Sequence, residues 1–408
     1  MTLARRDDPL LRARWRLLAA IAVVMAANGL LLMLFSVRAT RAGFGSTVTA
    51  LIIGGYYGGF LAASVLASGF VRRSSTSRTF VALSLSVATV SIGAPLLVWA
   101  PFWLFLRTLQ GFAFAAVYVV AESWLNRATP NEERARVLGQ YLSTMMASFA
   151  AGTLVVVATG THGVLPFGVA GALACGGALL VRGLPEPGGA VALSQSISFR
   201  SLVRRVPLGT SSAVVTSIAN AAFVSSLAVW ATRVGYSEAR TSLFSTLGSL
   251  GPVLLQSPIT RWSDRSSRPR VMFAVTLLAA AAAIGGMFGP TTGAVPLVGV
   301  LVLGGLSYTQ YSLFGAETND QLTEEEMPSA SGHLILLTGI GAIIGSVAVG
   351  VAFRWVGNDA MFWIVAVAHL IVAVLVVATR RRRRALRHDR QSIGTGDFQN
   401  TTLSLPGP

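Results

Sequence analysis

Apolar residues along this chain fall in long unbroken runs, with polar residues gathered into short stretches between them. This is neither the alternation of a half-buried strand nor the narrow stripe of a soluble helix. Runs of about 20 apolar residues match the thickness of a bilayer crossed as a helix. Twelve such spans are read, at residues 17–36, 47–71, 79–99, 102–124, 137–158, 163–181, 209–231, 241–259, 271–289, 294–314, 331–353 and 360–379. The one long hydrophilic stretch between spans, 182–208, separates six from six. The chain therefore divides into an N-terminal segment 1–16, a first bundle 17–181, a linker 182–208, a second bundle 209–379 and a basic, then disordered tail 380–408. Pro185, Pro187, Gly188 and Gly189 argue against a helix continuing through the linker. Ser198 to Val206, with Arg200, Arg204 and Arg205 among apolar residues, suits a lipid surface.

The two bundles resemble each other. Ala39-Thr40-Arg41-Ala42-Gly43-Phe44 returns 192 residues later as Ala231-Thr232-Arg233-Val234-Gly235-Tyr236. At the same offset Asn28 falls on Asn220, and Arg73-Ser74-Ser75 on Arg265-Ser266-Ser267. Three matches in one register point to a duplicated unit. The expected fold is an all-α integral membrane protein of twelve transmembrane helices in two pseudo-symmetric six-helix bundles. Parallel repeats with a site at their interface are a common plan for secondary transporters.

Composition agrees with lipid as the solvent: 53% of the 408 residues are hydrophobic and 12% charged, with a mean hydropathy of +0.65. The net charge of +16 would suit nucleic acid, but its location argues against that partner. All 32 basic residues are arginines; 26 lie in one set of loops with both termini, 5 in the opposite loops, and Arg107 inside a span. That asymmetry places both termini in the cytoplasm. Arg380 to Arg384 then reads as an anchor to anionic lipid. The first apolar run continues to Phe35 with no small-residue cleavage site, which argues against a removed signal peptide. Cys175 is the only cysteine, so no disulfide is expected.

Polar groups inside a bilayer are costly and need a partner, a cavity or a task. Arg107, Gly111, Ala115, Tyr118 and Glu122 follow steps of three and four, forming one stripe with Gln110 beside it and Asn126 extending it. Arg107 either snorkels to the nearby outer surface or faces a central cavity. Glu122, the only carboxylate within these spans, either exchanges a proton, since low-dielectric surroundings favour its neutral form, or pairs with Arg127 or Arg72. Asn28 and Asn220 either face each other across the cavity or join neighbouring helices. Tyr56, Tyr57, Tyr308, Gln310 and Tyr311 are further lining candidates, and Gly54, Gly55, Gly58, Gly59, Gly248 and Gly251 allow close helix approach. Thr129 and Thr323, each before acidic residues, read as helix caps. His162, His333 and His369 have no ligand companions at useful spacing, so no metal is expected. There is no Gly-rich phosphate loop with lysine and no nucleophile constellation, which argues against ATP as the energy source and against an enzyme. No cofactor is expected.

Several motifs resemble those of the major facilitator superfamily. Arg107-Thr108-Leu109-Gln110-Gly111 resembles its fourth-helix R-x-x-Q-G motif, whose Arg is linked to proton and substrate coupling. Arg261-Trp262-Ser263-Asp264-Arg265, with Arg268 and Arg270, resembles the D-R-x-x-R signature, which implies a gating latch built on Asp264, Arg265 and Arg268. In the first-half copy Arg72 stands where Asp is expected, and the Gly-Pro of the fifth-helix antiporter motif is missing from Ala147 to Gly152. Glu122-Ser123-Trp124-Leu125-Asn126 after Tyr118 resembles a narrower bacterial group, the YcaD-like transporters. The resemblance implies a monomeric transporter of a small molecule by alternating access, coupled to protons as symporter or efflux antiporter. Asn28, Arg107, Gln110, Tyr118, Asn220, Tyr308, Gln310 and Tyr311 would meet substrate, with Glu122 and Arg107 in proton coupling. An uncoupled uniporter and a ligand-binding membrane sensor are the alternatives. A cationic substrate would need more buried carboxylate than these spans contain.

Overall fold

The fold is that of a computed structural model, which describes residues 9–73, 75–187, 197–289, 292–323 and 326–399. Each expected span is one helix. The first bundle contains α1 Pro9–Arg41, α2 Ser46–Arg73, α3 Thr76–Leu96, α4 Ala100–Ala128, α5 Asn131–Thr159 and α6 Leu165–Val181. A short linker helix α7, Phe199–Arg205, precedes α8 Pro207–Arg233, α9 Glu238–Arg265, α10 Arg268–Phe288, α11 Val295–Asn319, α12 Met327–Trp355 and α13 Ala360–Gln399. Ten of these are long and apolar enough to cross a membrane. The other two expected spans are α6, with 17 residues, and α9, whose polar residues and internal Pro252 and Pro258 lower its hydropathy. Helix α13 runs on to Gln399, into the segment expected to be disordered; its arginines and Ala385-Leu386 are good helix formers that propagate an existing helix. Residues 400–408 lie outside the described residues.

Large apolar side chains that lie exposed, such as Phe105, Leu179, Leu254 and Val374, are explained by lipid as their solvent. Exposed tryptophans near the helix ends, Trp15 and Trp262 at one end and Trp99 and Trp355 at the other, suit the two interfaces. We call these the linker end and the far end.

The repeated hexapeptide is a repeated turn. After α1, Gly43 N–H donates to Thr40 and Phe44 N–H to Ala39; after α8, Gly235 N–H donates to Thr232 and Tyr236 N–H to Ala231. Both patterns close a helix with a residue at positive φ, 74° at Gly43 and 84° at Gly235, where glycine avoids a Cβ clash. The aromatic residue that follows packs back on a tryptophan, Phe44 on Trp103 and Tyr236 on Trp230.

The caps correct part of the expectation. Helix α5 starts from Pro130, which has no side-chain cap, so Thr129 lies one residue too far out and its hydroxyl finds no partner. At α12 the Thr323 N–H donates to Glu326 Oε2, and Glu326 pairs with Arg205 of α7 at 2.6 Å. The hydrogen bonds from Arg205 and Thr323 and the Arg205 charge hold Glu326 below the usual carboxylate range. Glu324 and Glu325 lie outside the described residues.

The linker is fastened at both sides. Glu186 accepts from the Thr76 N–H at 2.5 Å and the Thr76 hydroxyl at 2.9 Å, and meets Arg127 at 3.4 Å. The Trp124 indole donates to the Pro185 carbonyl, and beyond the linker's middle the Ile197 N–H donates to Ser329. Gly188 and Gly189 lie outside the described residues.

Candidate functional site

A cavity of about 150 Å³ lies between the two bundles. The first bundle contributes Met25, Asn28 and Leu32 of α1, Tyr56 and Tyr57 of α2, Arg107 and Tyr118 of α4, and Met145, Met146 and Phe149 of α5. The second contributes Val224 of α8, Ser249 and Pro252 of α9 and Tyr308 of α11.

Its polar wall is a hydrogen-bonded loop. Arg107 is 1% exposed, so it does not snorkel to the surface. Its Nη1 donates to Gln110 Oε1 at 2.7 Å, Gln110 Nε2 donates to Asn28 Oδ1 at 3.1 Å, and Asn28 Nδ2 donates to the Tyr56 hydroxyl at 3.1 Å. Arginine has only donors, so it fixes which way both amides point. The guanidinium lies 4.9 Å from the Tyr56 ring centre and 5.3 Å from that of Phe35, closing the loop through cation–π contacts. Gly111 makes this possible: a Cβ there would come within 1.8 Å of the Tyr56 carbonyl oxygen, so only glycine lets α2 carry Tyr56 so near α4.

Several expected lining residues lie elsewhere. Gln110 is buried behind the wall and positions Arg107 and Asn28. Asn220 is not on the cavity surface, and its buried Oδ1 has no partner. Gln310 points to Thr276 of α10 at 3.4 Å, and half-exposed Tyr311 stacks on Phe314. A helix that presents Tyr308 to the cavity turns Gln310 about 200° away. Tyr118 is placed as expected, its hydroxyl 3.4 Å from Met25 Sδ. The three methionines, Phe149, Val224, Ser249 and Pro252 were not foreseen, because apolar residues carry no mark of which ones face an interior space. Buried His369 meets Ser307 at 2.8 Å, away from the cavity.

Glu122 is exposed. It does not pair with Arg127, which Glu186 takes instead. The side chain of Arg72 lies outside the described residues. Helix α11 continues past its expected end, so Glu317, 3% exposed and accepting from Gln321, is a second carboxylate on a membrane helix.

The bundles are joined at the far end. Glu238, at the start of α9, meets Arg41 at 2.7 Å and His162 at 3.1 Å and accepts from the Thr161 N–H at 3.0 Å. Arg41 also donates to the Thr161 hydroxyl, and Arg38 to the Thr161 carbonyl. Burial raises the Glu238 pKa, but the hydrogen bonds from Thr161 and Arg41 and the Arg41 charge outweigh it, leaving the carboxyl below its ordinary range. One layer deeper, the Thr153 and Thr246 hydroxyls meet at 2.6 Å, and the Ser242 hydroxyl donates to the Thr153 carbonyl. Glu238 follows the capping Ser237, so in the sequence it reads only as an ordinary helix start.

At the linker end Arg268 joins Asp264 at 3.5 Å to Asp320, the residue after α11, at 2.5 Å, all within the second bundle. Arg265, exposed, takes no part in these pairs.

A model of the Major Facilitator Superfamily matches residues 209–400. The chain is 21% identical over 336 residues to the uncharacterized MFS-type transporter YcaD of Escherichia fergusonii, covering 81% of this chain and 86% of that one. It is 20% identical over 332 residues to the uncharacterized MFS-type transporter Ent638_1421 of Enterobacter sp. strain 638, covering 80% and 85%. Among solved structures, a mutant of the nucleoside transporter NupG superposes with a TM-score of 0.73 at 14% identity, covering 91% of this chain and 99% of that one. A bacterial homolog of the human lysosomal transporter Spinster, inward-facing and unoccupied, gives 0.70 at 13% identity, covering 91% and 95%. A variant of the E. coli fucose:proton symporter FucP gives 0.59 at 15% identity, covering 90% and 98%. The duplicated bundles, the interface cavity and these matches converge: the second half of the chain matches the Major Facilitator Superfamily, and the chain as a whole is similar to YcaD-like transporters of that type and shares their fold.

Proposed function

We propose that this protein carries a small molecule across a bacterial cytoplasmic membrane by alternating access, using the cavity between the bundles as its transport site. The observation that carries this reading is a cavity with one polar wall, lined by both bundles and closed at one end by contacts between them. Rocking the bundles would break the Glu238 contacts and present the same side chains to the other face. The arginine distribution supports a cytoplasmic linker end with both termini inside, and so an inward-facing state. Asn28, Arg107, Tyr118 and Tyr308 meet the substrate, while Gln110 holds the arginine in place. Glu122, accessible on the linker side, is the proton carrier, and Arg107 responds to substrate charge. Arg268 with Asp264 and Asp320 holds the end of α9 during the motion. The protein works as a monomer, with the Arg380 segment at anionic headgroups. FucP, on the same fold, is a fucose:proton symporter, which supports proton coupling.

The test is flux in proteoliposomes with an imposed pH gradient, screened over metabolite and antibiotic pools. Solute movement that follows the gradient in the native protein, and exchange without gradient response in Glu122→Gln, is the expected result. Undiminished gradient-driven transport by Glu122→Gln removes that residue from coupling, and binding without flux removes transport.

A further inference from the structure

We propose that the cavity takes a monoanion with an apolar body, a single carboxylate or comparable acid, with its charge against Arg107 and Tyr56; this rests on reading the cavity as the transport site. Arg107 is buried, its Nε has no hydrogen-bond partner, and its near neighbours are a neutral amide and two aromatic rings. No carboxylate lines the cavity among the described residues. A buried cation held this way lacks its counter-charge, and an anion entering the cavity would supply it.

The hydrogen-bonded loop sharpens the argument. Because Arg107 can only donate, each acceptor along the loop, Gln110 Oε1, Asn28 Oδ1 and the Tyr56 oxygen, is already engaged from within the protein. What the Tyr56 hydroxyl has left to offer is its own hydrogen. The cavity therefore presents one positive charge, hydroxyls able to donate and no negative charge, which suits an acid and not an amine. The facing wall has no charge: Val224 and Pro252 are apolar, and the methionines across from them can repack around bodies of different shape. One arginine without a second cation sets the ligand charge at minus one.

The experiment measures binding to the purified full-length protein in detergent, by ligand-induced rise of the unfolding midpoint and by equilibrium titration. The probes are benzoate, phenylacetate and naphthalene-2-carboxylate, each beside its primary amide and its primary amine. The expected result is that acids bind at least 30-fold more tightly than the matching amides and that the amines do not bind. Arg107→Gln should abolish acid binding, and Arg107→Lys should retain it with less than a tenfold loss. Should Arg107→Gln fail to fold, Val224→Trp, which fills the apolar wall, should still cut naphthalene-2-carboxylate binding at least tenfold. Amides binding as tightly as acids, acids binding undiminished to Arg107→Gln, or no acid binding at millimolar concentration overturns the proposal. Liposome flux separates the two readings. A bound acid that never crosses sinks transport and leaves the site standing, whereas a neutral compound carried through the cavity sinks the acid and leaves transport standing.

Discussion

Replacing Glu238 by Gln is expected to open the far end. The carboxylate is the second bundle's contribution to a cluster otherwise made by Arg41, Thr161 and His162 of the first. Gln keeps the shape and one acceptor but removes the charge. The Arg41 and Glu238 side chains are 34% and 28% exposed, so water competes for them. A partly exposed pair contributes up to about 1 kcal/mol, and converting the Thr161 N–H bond from charged to neutral acceptor costs about another 1 kcal/mol. The sum, roughly 2 kcal/mol, would move the ratio of closed to open far ends about 30-fold. The assay is pulsed electron paramagnetic resonance between spin labels at Val164 and Val295, which are exposed at the far end on opposite bundles, in a chain with Cys175 replaced by Ser. A longer distance should gain population in Glu238→Gln. The pH dependence follows from the depressed pKa of Glu238. Its stabilisation of closure is complete above the ordinary value of 4.5 and is lost as pH falls through the lowered one. Native protein should therefore lengthen at the far end only below about pH 4.5, and Glu238→Gln should lack that transition. Superimposable distance distributions for the two proteins at neutral pH would refute the reasoning.

Other perturbations follow from the same geometry. Gly111→Ala puts a methyl within 1.8 Å of the Tyr56 carbonyl oxygen and should cost about 2 kcal/mol or more of stability, whereas Gly315→Ala, with nothing within 4 Å, should change the unfolding midpoint little. Gln110→Leu should weaken substrate binding without touching the cavity surface, because it frees the arginine and orphans Asn28 Oδ1; unchanged affinity in equilibrium titration would count against a positioning role. Arg268→Ala releases both Asp264 and Asp320 and should cost about 1 kcal/mol in denaturant unfolding, against almost none for Arg265→Ala. Glu186→Ala unfastens the linker from Thr76 and Arg127 and should speed its cleavage by limited proteolysis, with equal cleavage rates the contrary result.

The fold was legible in the sequence because lipid imposes one simple demand, a long apolar run for each crossing. The repeated hexapeptide was legible as a duplication, while its meaning, a turn that needs positive φ at Gly43 and Gly235, came only from the structure. The site was legible where a polar residue breaks an apolar helix, as with Asn28, Arg107 and Tyr118. Symmetry misled at Asn220: duplicated backbones need not aim equivalent side chains at the same space. Gln310 and Tyr311 show how a single helix carries one residue to the cavity and its neighbours away from it. Glu238 stayed hidden because its partners come from the end of α1 and the loop between α5 and α6, both remote in sequence.

The fastening of the linker sets a mechanical limit. Pro185 and Glu186 are held to the first bundle and Ile197 to the second, leaving ten peptide units from Pro187 to Ile197. Drawn straight, they reach about 35 Å. That reach caps how far the two anchoring points can move apart, whatever path the chain takes between them, and keeps the bundles at high local concentration for each other. Deleting residues from this stretch would first narrow how wide the linker end can gape, while leaving both anchoring points and both bundles unaltered.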